Sequence, residues 1–131
     1  MVASAGIVLA LGAIHLVYTF YGAKLTPRDP ALHAAMREVP PVLTRQTTLW
    51  KAWIGFNASH GMGAILFGLI YGYLALVQST LLFQSVFLLA VGVTMLGAYM
   101  VLGRLYWFSA PFRAICVSFA LFIAAIMLSR I

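Results

Sequence analysis

The chain has 131 residues, 64% of them hydrophobic and only 8% charged, with a mean hydropathy of +1.05. A soluble domain cannot hide that much apolar surface, so lipid must solvate most of it. The formal charge is +6, but the eight Lys and Arg flank apolar segments instead of forming a stripe, which argues against nucleic-acid binding.

At about 20 apolar residues per spanning helix, four spans and their connections use up the whole length. The expected fold is all-α: four transmembrane helices in one antiparallel bundle, forming a single membrane domain over residues 1–131. The lone cysteine, Cys116, excludes an internal disulfide and any paired-thiol redox motif. A small buried role suits it better than a nucleophilic one.

The first span is expected at about 3–25. No cation precedes its apolar run and Lys24 follows it, as in a retained helix whose N-terminus lies outside. Gly6, Ala10 and Ala13 make a small-residue edge, and His15, Tyr18, Thr19 and Gly22 share one face by their i, i+3, i+4, i+7 spacing. The polar segment that follows contains Asp29-Pro30, a helix-starting pair, and Pro40-Pro41, which interrupts what precedes it. Between them Leu32, Ala35, Met36 and Val39 form an apolar stripe, with His33, Arg37 and Glu38 mostly off it. A short amphipathic helix in the headgroup region is the reading, against a solvated loop.

The second span, about 47–77, is longer than a bilayer needs and must tilt or protrude. Trp50 and Trp53 suit the interface, and Lys51 can snorkel to the headgroups. After the short turn Gln78-Ser79-Thr80, the third span is expected at about 81–103 and the fourth at about 110–128. Gly68 with Gly72, and Gly92 with Gly97, are the candidate helix-packing positions. Lys24, Arg28, Arg37, Arg45, Lys51, Arg104 and Arg113 fall on one side of this layout and only Arg130 on the other. Seven against one predicts both termini outside the cytoplasm.

Depth then selects the candidate site. At 1.5 Å per residue, His15 lies roughly 13 Å from Lys24 and His60 roughly 10 Å from Trp53, so both histidines sit at a similar level. Trp53, Asn57 and His60 share one face of the second span, with Ser59 beside them, and Tyr18 and Tyr99 fall in the same half of the membrane. The candidate ligand or pocket residues are thus His15, Tyr18, Trp53, Asn57, Ser59, His60 and Tyr99. Polar groups at that depth must find partners, and ionisable residues within a span are functional candidates by default. The competing reading is packing glue, a structural role that Asn, Ser and neutral His fill between membrane helices.

Other chemistry is limited by what the spans lack. Both carboxylates, Asp29 and Glu38, lie in the first connection, and no cluster supplies a closed zinc set. A b-type haem on His15 and His60, with room provided by Gly12, Gly61 and Gly63, is geometrically conceivable.

The run Trp53-Ile54-Gly55-Phe56-Asn57-Ala58-Ser59-His60-Gly61-Met62-Gly63 resembles a motif of small bacterial four-helix integral membrane proteins. That resemblance extends to length and four-span layout, implies that Asn57, Ser59 and His60 form one unit, and supplies no substrate or cofactor. It implies a bacterial inner membrane as the location.

The expected function is a non-enzymatic membrane module. It would be an accessory subunit of a larger inner-membrane complex, or a binder of a lipid, quinone or other apolar ligand near His15, Asn57 and His60. The alternatives are a small membrane enzyme on a lipid-like substrate with His60 as acid or base, a b-type haem protein, and a transporter protomer. The expected partners are the lipid bilayer and either another membrane protein or further copies of this chain.

Overall fold

The computed structural model describes residues 1–130, and every regular element among them is a helix. The helices are α1 (Val2–Phe20), α2 (Pro30–Glu38), α3 (Leu49–Val77), α4 (Ser79–Gln84), α5 (Val86–Tyr106) and α6 (Ser109–Leu128). Four of them, α1, α3, α5 and α6, are long and apolar enough to cross a membrane. Only 17–28% of their most apolar windows is buried within the protein, so most of that surface requires an apolar surrounding. The chain is an all-α protein with four membrane-spanning candidates, as its composition demands.

The ends of the helices depart from the expected spans for local reasons. The first helix stops at Phe20 instead of Leu25, because Gly22 takes a φ of +81°, a left-handed conformation that glycine adopts without a steric penalty. The third expected span divides in two. Ser85 takes an extended conformation, and its hydroxyl accepts from the Leu88 amide at 3.2 Å, ending α4 and capping α5. The expected short helix is present as α2, where Asp29 accepts from the Ala31 amide at 2.9 Å and Pro30 opens the first turn.

The chain divides into two compact units. One contains Met1–Leu11 and everything from Ala64 onward; the other is Gly12–Gly63. In the first unit, segments of all four long helices meet around Val8, Phe67, Tyr71, Leu89, Leu96, Ile115 and Phe122. Gly68 makes this possible: a Cβ there would lie 2.6 Å from Leu9 Cβ and 2.8 Å from the Ala5 carbonyl oxygen. Gly92 plays the same part for α5 and α6, since the Phe122 ring occupies the space a side chain would need.

The other two packing candidates differ. At Gly72 the nearest atom, Ala5 Cβ, would be at an ordinary 3.9 Å, and at Gly97 nothing lies within 4 Å. The Gly6, Ala10 and Ala13 edge is exposed.

Three polar side chains tie the helices of this unit together. Ser118 donates to the Ser4 carbonyl at 3.0 Å, so its only proton is spent and the 2.9 Å contact between the hydroxyls must be Ser4 donating to Ser118. Both serines are fully buried, tying α1 to α6. Tyr71 stacks on Phe67 and donates its hydroxyl proton to the Leu88 carbonyl at 2.7 Å, tying α3 to α5.

The second unit packs differently. Gly61 comes close to α1, with Gly12 O 3.2 Å and Leu16 Cβ 3.4 Å from where its Cβ would be. The amide of Leu49, at the start of α3, donates to the Val39 carbonyl at 2.9 Å, which satisfies one of the orphan amides of that helix. His33, expected mostly off the apolar stripe of α2, is half-buried, its ring 4.5 Å from that of Trp50. Leu32, Ala35 and Val39 of that stripe are exposed, and only Met36 is partly covered.

Candidate functional site

Several polar residues of the second unit form one connected chain across α1 and α3. Asn57 lies one turn beyond Trp53 on α3, and its amide nitrogen donates to the Trp53 carbonyl at 2.8 Å. A carbonyl can only accept, so this contact fixes which end of the Asn57 amide is nitrogen. Its oxygen, Oδ1, therefore faces His15 Nε2 at 3.0 Å and can only accept from it. His15 must carry its proton on Nε2, and in the neutral ring Nδ1 is then the acceptor nitrogen. Asn57 thus sets both the direction and the tautomer of the histidine.

The chain is anchored at both ends. The Trp53 indole donates from Nε1 to the Leu25 carbonyl at 2.9 Å, bridging from α3 to the segment after α1. That segment is free to receive it because the helix has already ended at Phe20. On α1 the buried Thr19 hydroxyl donates to the His15 carbonyl one turn back, at 2.8 Å. His60 completes the cluster: its ring centre is 5.1 Å from that of His15, at an interplanar angle of 85°. Two imidazoles from two helices therefore stand edge to face.

The structure brings together four of the expected residues, His15, Trp53, Asn57 and His60. It leaves Ser59 and Tyr18 out of this chain of bonds. Ser59 is exposed and donates to the Phe56 carbonyl of its own helix at 3.0 Å. Tyr18 is exposed as well. Tyr99 belongs to the first unit, buried there with its ring 5.8 Å from that of Trp107. Sequence reasoning missed Leu25, whose role rests on a backbone carbonyl and leaves no trace in side-chain type.

The arrangement also bears on cofactors. Axial histidines of a b-type haem stand on opposite faces of the porphyrin. Here the two rings touch edge to face, and His15 Nε2 is committed to Asn57, so no porphyrin fits between them in this geometry. Among the described residues, no group of three or more His, Cys, Asp or Glu could hold a metal ion. Cys116 is a free, half-buried thiol.

Fold and site together define an all-α protein with four apolar helices of membrane-spanning length and a His–Asn–His cluster held by two of them. No protein-family model matches the chain, and neither a curated protein nor a solved structure matches it at a significant level.

Proposed function

We propose that the chain is a non-enzymatic membrane module that binds an apolar ligand with a hydrogen-bonding head, a lipid or a quinone, at His15, Asn57 and His60. The observation supporting this reading is the enforced orientation of His15, whose Nε2–H is directed at Asn57 Oδ1. A histidine held in this tautomer has committed its proton to Asn57 and offers a hydroxyl head, such as that of a lipid or a quinol, a fixed acceptor in Nδ1. Binding sites need that order in advance, because fixing a loose side chain on association costs affinity. The exposed apolar side chains Ile14, Val17 and Phe56 on the same two helices would accompany the tail.

Purification from native membranes in mild detergent, followed by lipid extraction and mass spectrometry, tests the reading. One bound species should be enriched over bulk lipid, and Asn57→Leu should reduce it about tenfold, as loss of one well-placed hydrogen-bond network costs ~1.4 kcal/mol. Bulk lipid alone in both samples would contradict it. A copurifying protein in place of a ligand would select the accessory-subunit reading.

The proposed location is a bacterial inner membrane with both termini outside the cytoplasm, supported by the placement of seven of eight cations on one side of the span layout. In a Cys116→Ala background, a cysteine at Gln78 should react with an impermeant reagent added outside, and one at Ala34 should not. The reverse pattern would overturn the orientation.

A further inference from the structure

A second feature lies where α5 turns into α6. Gly103, Arg104, Trp107, Ser109, Phe112 and Arg113 line an open cleft of about 350 Å³, within the size range of small-molecule sites, about 300–1,000 Å³. Its floor is close-packed, for a Cβ on Gly103 would meet the Phe112 ring at 3.1 Å and the Trp107 ring at 3.2 Å. Its charge is one-sided. Arg104 lies in the last turn of α5 and Arg113 in the first turns of α6, and no carboxylate is among the lining residues.

We infer that this cleft binds the phosphate of an anionic phospholipid headgroup. Two arginines line one opening, and the guanidinium fork suits the paired oxygens of a phosphodiester. Ser109 adds a hydroxyl, and Trp107 an aromatic wall of the kind enriched at the membrane interface. The exposed side chains Leu102, Leu105 and Phe108 on the same stretch give the acyl chains an apolar surface. That surface favours a lipid over a free phosphate, which would gain nothing from it. Basic pockets between membrane helices recognise lipid headgroups in this way.

The test is native mass spectrometry of the full chain in detergent, titrated separately with phosphatidylglycerol, phosphatidylcholine and inorganic phosphate. Phosphatidylglycerol should be retained at least about tenfold better than the zwitterionic lipid, two arginines supplying roughly fivefold each at a membrane surface. Arg104→Gln with Arg113→Gln should remove that preference, while Arg37→Gln with Arg45→Gln, which removes the same charge elsewhere, should leave it intact. Equal retention of the two lipids by the unaltered protein would overturn the inference, and needs no variant to fold. An equal loss in the Arg37 and Arg45 control would also overturn it, by showing only diffuse attraction. So would displacement of the bound lipid by inorganic phosphate. The histidine cluster is untouched by these substitutions, so failure here leaves the ligand reading of His15 and His60 to its own experiment.

Discussion

The two units of this chain solve the same problem by different means. Lipid tails are as apolar as leucine, so the hydrophobic effect does not drive membrane helices together, and close packing or hydrogen bonds must do it. The first unit relies on packing: Gly68 lets α3 close on α1, Gly92 accepts the Phe122 ring, and the buried Ser4–Ser118 pair is the main polar tie. The second adds to the close approach at Gly61 a run of hydrogen bonds from Leu25 through Trp53 and Asn57 to His15. The glycine contacts can do nothing but hold. The hydrogen-bonded run also holds, and it ends in two imidazoles, the groups on which the proposed ligand binding rests.

The packing side of the comparison carries the largest expected effects. Gly68→Leu should cost about 3 kcal/mol or more, the upper end for overpacking, because the atoms it meets include the backbone of Ala5 and Leu9 and cannot swing aside. Detergent melts should show this as a lowered midpoint, whereas Gly97→Ala should be neutral or slightly stabilising, as nothing lies near its Cβ. Equal tolerance at both positions would remove the argument that glycine packing holds the first unit.

Gly68 and Gly97 also show what the sequence could convey. Both sit in apolar helices near a second glycine, and spacing alone does not say which glycine faces a neighbour. The four apolar spans were legible because membrane helices must satisfy every backbone group internally and reveal it in long apolar runs. The break at Ser85 was harder to see, since a single serine in a run such as LLFQSVFLLA reads as a weakly polar helix residue. Its capping role depends on the backbone turning extended there. Gly22 carried a clearer signal, a glycine close after the last periodic residue, and the run to Lys24 obscured it.

The histidine cluster was legible for a simple reason. Depth along a helix follows from residue count, and polar residues that must be paired in hydrocarbon have few partners to choose from. Tyr18 met the depth criterion but is exposed, and counting from the membrane edge does not say which way a side chain faces.

The polar side should yield smaller effects on stability. Asn57→Leu leaves the His15 Nε2–H without its acceptor and should cost about 1–2 kcal/mol. Asn57→Asp, which keeps an acceptor facing His15, should be less damaging to the histidine orientation than Leu. That comparison is read from the His15 side-chain chemical shifts in a labelled sample. Identical shifts in the Leu variant and the unaltered protein would show that Asn57 does not orient the ring.

His60→Phe keeps a ring against His15 while removing both nitrogens, and should cost about 1 kcal/mol, the usual worth of a polar contact between membrane helices. It is also the substitution that separates holding from binding most cleanly. The decisive measurement is the amount of copurified ligand per folded protein, by lipid extraction and mass spectrometry, in the unaltered chain and in His60→Phe. The account predicts that the variant melts within a few degrees of the unaltered protein and has lost most of the ligand. A variant that melts normally and retains the ligand in full would contradict it.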